Sequence, residues 1–267
     1  MTDLAGNQRE SLSVDQQFAP LWRKLVAETL GTGLLVTVVV GSGIAAASLS
    51  PNDVGLQLLE NAFATALGLA VLILAIGPVS GAHFNPVVSA VDWWLGHRTG
   101  NGLTLRELAG YVPAQTLGAV AGAMLANLIY DKAAVTWSTT DRASGHLWLS
   151  ELVATAGLVV LIFALAWSGR AAVAPAAVGA YIGSAYWFTS STSFANPAVT
   201  IGRAFSDSFA GIAPASVPGF VIAQILGAIV GAGLLAVLYP HAGQAADEIV
   251  TPHTDTNTAP TPTGASK

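Results

Sequence analysis

The sequence predicts an all-α membrane protein with six transmembrane helices plus two re-entrant half-helices in an inverted repeat. Three observations predict it. Charged residues make up 9% of the chain and hydrophobic ones 53%, whereas a soluble domain carries about 25% charged residues. Six apolar runs, nearly free of charge, each approach the roughly 20-residue helix that a bilayer core requires. Two Asn-Pro boxes, Asn85-Pro86-Val87 and Asn196-Pro197-Ala198, stand 111 residues apart, and each opens a stretch too short to span.

The spans fall at about 25–47, 56–78, 106–130, 148–168, 171–190 and 217–239. An even number places both termini on one side, and the distribution of Lys and Arg chooses that side. With cytoplasmic termini, Arg9, Arg23, Lys24, Arg98, Arg106, Arg170 and Lys267 lie inside, and Lys132, Arg142 and Arg203 outside. This bias predicts a multi-pass protein of the inner (plasma) membrane, in contact with lipid, with N and C termini cytoplasmic. Residues 1–20 read as a polar cytoplasmic segment without the apolar core of a signal peptide. The membrane domain covers 21–240. The tail, 241–267, rich in Thr, Pro and Ala, reads as disordered.

Composition also excludes functions. The chain has no Cys, which removes disulfides, thiolate metal sites and Cys nucleophiles. Ten Lys and Arg against fifteen Asp and Glu leave no basic patch for nucleic acid. No phosphate loop, catalytic triad or metal-ligand cluster is present in the sequence. No enzyme activity, cofactor or metal is expected.

The two halves of the domain, about 21–130 and 148–240, resemble each other. Ala114-Gln115-Thr116-Leu117-Gly118-Ala119 parallels Ala223-Gln224-Ile225-Leu226-Gly227-Ala228, and Gly122 parallels Gly231. Ala27-Glu28-Thr29 has a looser counterpart in Ser150-Glu151-Leu152, and Ser80-Gly81-Ala82-His83-Phe84-Asn85 one in Ser191-Thr192-Ser193-Phe194-Ala195-Asn196. Small residues recur in any membrane bundle, because they let helices approach closely. They do not explain several features recurring in one order at a fixed period. Each half holds three spans, an odd number, so the second half enters the membrane inverted. The first box then dips in from one face and the second from the other.

Asn-Pro is a helix-start signal. Proline suits the first turn, its lost N–H being unpaired there anyway, and Asn is a strong N-cap. Used twice in inverted repeats, it brings two carboxamides and two positive dipole ends together at membrane depth. Irregular backbone survives at that depth only where it lines a cavity. Residues 81–84 and 192–195, including Gly81, Ala82, His83, Thr192 and Phe194, are therefore expected to line a pore for a small neutral solute.

On these boxes, repeats and Glu-containing helix starts, the chain from about Leu21 to Tyr239 resembles the aquaporin (major intrinsic protein) family. The resemblance implies a homotetramer with one pore per subunit, selective through diameter, lining donors and helix dipoles. Two departures stand out. Val87 occupies a position where the family usually has Ala. Val199 follows the second box where members normally carry a filter Arg. The remaining filter positions, mapped by the family's spacing, are Thr65, Ser184 and Ser193. A ring of Thr65, Ser184, Ser193 and Val199 would be wide, uncharged and mildly polar. The segment from Phe194 to Thr200, with Arg203-Ala204-Phe205 after it, resembles the bacterial Arg-lacking branch associated with arsenic detoxification. This implies a passive channel for metalloid hydroxides (arsenite, and methylated arsenicals) and small polyols. A water or glycerol facilitator is the alternative within the class.

Four other residues invite roles. Arg203 and Asp92, each seven positions after a box Asn, are expected as charged vestibule residues, with an Arg203–Asp207 ion pair as the plainer alternative. Glu28 and Glu151, at matched positions, are expected to be structural acceptors for the re-entrant loops. An ion-coupled transporter would instead use ionisable residues at the midplane, where this sequence places Asn and Pro.

Overall fold

The computed structural model describes residues 19–97 and 101–239. The N-terminal segment up to residue 18, the tail from residue 240, and Arg9, Arg98 and Lys267 lie outside the described residues. Eight helices follow in order: α1 Leu21–Leu49, α2 Val54–Ser80, α3 Pro86–Gly96, α4 Leu105–Ile129, α5 Gly145–Trp167, α6 Ala174–Phe188, α7 Pro197–Arg203 and α8 Val217–Leu238. Among the described residues, all but α3 and α7 are long and apolar enough to cross a membrane, counting the 3-10 turns that lead into α6 and α8.

Local chemistry fixes the ends of these helices. Asp53 caps α2 by accepting from the Leu56 amide at 2.9 Å. Thr104 and Glu107 form a reciprocal capping box at the start of α4, which satisfies amides that the helix leaves unpaired. Helix α1 begins four residues before the expected span and so includes Arg23 and Lys24. The extension is held by Lys24, which reaches Glu107 on α4 at 2.8 Å.

The halves pack as mirrored pairs, α1 against α4 and α5 against α8, with α2 against α6 joining them. Glycines set the close approach. A Cβ on Gly122 would stand 2.0 Å from the Gly33 carbonyl oxygen, and one on Gly231 2.7 Å from that of Ala156. The repeated Gly118 and Gly227 meet Thr29 and Leu152 backbone in the same way, at 2.2 and 2.5 Å. Large apolar side chains such as Phe63, Leu117, Ile229 and Val237 point outward, the arrangement lipid favours. Polar and charged residues are turned inward: Glu28, Asn61, Gln115, Asn127, Glu151 and Gln224 are all fully buried.

Candidate functional site

The site begins with two irregular loops. Ala82 and Phe84 in the first, and Thr192, Ser193 and Ala195 in the second, adopt positive φ between 45° and 62°. L-residues in this left-handed region cost roughly 1–3 kcal/mol each and persist only where surroundings over-determine them. Glu28 supplies that in the first half, accepting from Ser80 Oγ (2.6 Å), the amides of His83 (3.0 Å) and Phe84 (2.7 Å), and Gln115 Nε2 (2.7 Å). Glu151 repeats it with Ser191 Oγ (2.6 Å), the amides of Phe194 (2.8 Å) and Ala195 (2.7 Å), and Gln224 Nε2 (2.6 Å). The Ala-Gln and Glu signatures of the sequence repeat are thus two ends of one buried bracket.

The loops deliver the boxes. Asn85 Oδ1 caps the Val87 amide, and Asn196 Oδ1 caps those of Ala198 and Val199. Each carboxamide nitrogen then crosses to the other half: Asn85 Nδ2 donates to the Ala195 carbonyl at 2.8 Å, and Asn196 Nδ2 to that of Phe84 at 2.7 Å. A carboxamide has two N–H groups, so one of each is spent on joining the halves and the other remains for the cavity both residues line. Val87, Pro197 and Ala198 are buried and do not line it; Val87 and Ala198 belong to the apolar core.

The cavity encloses about 70 Å³ and runs between the half-helices. A buried water needs roughly 10–15 Å³ of such space, so the cavity has room for a short file of waters or one small solute. Its walls differ. Leu35, Leu69, Ile162 and Val178 form hydrocarbon surface, while residues 81–84, Asn85, Ser193 and Asn196 contribute polar surface. Among the described residues, no donor bonds the carbonyls of Gly81, Ala82 and His83 or those of Ser193 and Phe194. His83 lines the cavity while its Nδ1 sits 3.1 Å from Ser89 Oγ.

The expected filter residues are sorted by the fold. Thr65, Ser193 and Val199 are buried and line the cavity. Ser184 does not; it is exposed, with its hydroxyl donating to the Tyr181 carbonyl. Two residues along a helix is a turn of about 200°, so the cavity-facing row on α6 is Val178, Ile182 and Tyr186. Tyr186 Oη lies 3.2 Å from Thr65 Oγ1. The spacing of four within that row was the signal available in the sequence. Thr192, expected as a lining residue, is also absent from the wall. In place of the expected Ser184, an aromatic ring with a hydroxyl stands in the wall.

A guanidinium stands in it too. Arg203 lines the cavity, is 1% exposed, donates through Nε to the Ala210 carbonyl, and sits with Cζ 3.3 Å from the centre of the Phe194 ring. No ion pair with Asp207 forms; Asp207 accepts instead from the amide and hydroxyl of Thr139 at 3.0 and 3.2 Å. Asp92, the expected counterpart, is 2% exposed, accepts from the Leu103 amide at 2.8 Å and does not line the cavity. The sequence symmetry of these two positions is not a symmetry of the site.

Six spans, paired half-helices and an amphipathic cavity where the helix starts meet define a membrane channel of inverted-repeat type. Comparison with known proteins agrees. The chain matches the Major intrinsic protein family over residues 15–195 and 177–261, and it belongs to that family. It is 51% identical over 215 residues to the aquaglyceroporin AqpS of Rhizobium meliloti (strain 1021), covering 80% of this chain and 89% of that protein. It is 31% identical to a glycerol uptake facilitator protein of Pseudomonas aeruginosa, covering 82% and 89% of the two chains. Among solved structures, the aquaglyceroporin from Plasmodium falciparum matches with a TM-score of 0.63 at 21% identity, over 85% of this chain and all of that one, a likeness of fold. The protein is a passive channel for small neutral solutes, not an enzyme.

Proposed function

We propose that the channel carries small polyhydroxylated solutes in preference to water alone: metalloid hydroxides, arsenite above all, together with methylated arsenicals and small polyols. The observation that carries this reading is Val199. It is buried in the cavity wall one turn inside the second half-helix, and it puts hydrocarbon where a filter arginine would narrow the path. Elsewhere in the same wall, the Thr65, Tyr186 and Ser193 hydroxyls and the carboxamides of Asn85 and Asn196 offer donors and acceptors to a solute displaying several hydroxyls. Arsenous acid and glycerol share that display. The naming of the relatives as an aquaglyceroporin and a glycerol uptake facilitator supports polyol passage. The second of those names also favours a plain glycerol facilitator as the alternative. The Lys and Arg bias supports cytoplasmic termini, and the family resemblance supports a homotetramer with one pore per subunit.

Val199→Arg tests the reading. In proteoliposomes the variant is expected to lose glycerol and arsenite flux by about tenfold, a change of ~1.4 kcal/mol in the barrier, while water flux falls much less. Equal glycerol and arsenite flux in variant and wild type would overturn it.

A further inference from the structure

We infer that Arg203 is the charge-selecting residue of this pore, a fixed cation in the cavity wall that rejects cationic solutes and tolerates neutral and small anionic ones. The inference rests on the cavity being the solute path, as proposed above. It starts from an imbalance. A guanidinium carries five N–H donors in a fixed fork, yet the structure gives Arg203 one protein acceptor, the Ala210 carbonyl at Nε. Among the described residues no carboxylate lies within 4.0 Å of it, and the ion pair found is Lys24–Glu107. Burying an ion without a paired counter-ion is costly, so a purely structural tie through one backbone carbonyl would not need a charge.

The neighbouring groups do not neutralise it. Glu151, a nearby buried carboxylate, accepts its four hydrogen bonds from other groups, does not line the cavity, and is one acid shared electrostatically by two guanidiniums, Arg203 and Arg142. Arg142, whose Cζ lies 5.0 Å from the same Phe194 ring, spends two nitrogens on the Gly211 and Ser191 carbonyls and also stays out of the cavity. Among the described lysines and arginines, Arg203 alone lines the cavity. The Phe194 face supports it without cancelling its charge, since a ring quadrupole attracts a cation but supplies no counter-charge. In a narrow, weakly polarisable passage such a charge acts at far greater strength than in water. Its terminal nitrogens remain available to donate to a solute hydroxyl or carboxylate passing Ser193 and Tyr186.

The test uses three solutes of similar size, glycolamide, glycolate and ethanolammonium, in wild-type proteoliposomes and in Arg203→Gln and Arg203→Lys, with protein-free vesicles as background. Wild type is expected to pass the neutral amide best and to favour the anion over the cation by about tenfold or more. Arg203→Gln should bring that ratio close to one, read as a ratio whatever its amide flux, and Arg203→Lys should retain the preference. A wild-type pore with no anion-over-cation preference overturns the inference without recourse to any variant. So does an Arg203→Gln pore that keeps the wild-type ratio, the outcome expected of a mere loop tie. Failure of all three solutes in wild type would instead overturn the solute path itself, and the charge filter with it.

Discussion

Two buried glutamates hold the irregular backbone on which the pore depends. Glu28 and Glu151 each gather two loop amides, a serine hydroxyl and a glutamine amide. A glutamine in either place has one acceptor oxygen and a nitrogen that would face amide donors. Glu151→Gln is therefore expected to cost about 2–4 kcal/mol, the range for leaving buried donors unmatched. Thermal unfolding in detergent should show it as a lowered midpoint, with reconstituted flux falling because the second loop loses its shape. An unchanged midpoint would mean that the left-handed residues of that loop hold themselves. At this same scale, sequence reading reached its limit. Thr65, Ser193 and Val199 were legible because the family resemblance ties each to a box Asn at a fixed spacing, and all three line the wall. Tyr186 was not, since a two-residue displacement on α6 turns the opposite side to the cavity. The place of Arg203 depends on where Phe194 and the Ala210 carbonyl stand, contacts between segments that no local spacing encodes.

Among elements, the crossings of α1 with α4 and of α5 with α8 set the width of the bundle. Both crossings are made by bare backbone at glycines. Gly122→Ala would drive a methyl to within 2.0 Å of the Gly33 oxygen, a backbone atom that cannot swing aside, whereas Gly233 has nothing within 4 Å of an added Cβ. Gly122→Ala is expected to cost about 1–3 kcal/mol or more through overpacking, and Gly233→Ala little. Comparing the yield and thermal stability of the two purified variants checks this; equal stability would contradict the packing described. The elements themselves were largely legible, six apolar runs and two Asn-Pro starts giving all eight helices. Their ends were less so: α1 begins at Leu21 because Lys24 finds Glu107 across the bundle, a partner 83 residues away.

For the whole molecule, the inverted repeat makes the site. Neither half has a pore alone, because each box asparagine donates to a carbonyl of the other loop, and the cavity wall draws on α1, α2, α5 and α6 together. The repeat was visible as the 111-residue separation of the boxes, and it carried the topology and the meeting of the half-helices. The repeat breaks at Arg203, which lines the cavity, whereas its counterpart 111 residues earlier is an acid, Asp92, that does not. The most direct measurement is stopped-flow flux of water, glycerol and arsenite through wild-type proteoliposomes. Glycerol and arsenite flux well above protein-free vesicles is the expected result, and fast water flux with neither solute passing would contradict it.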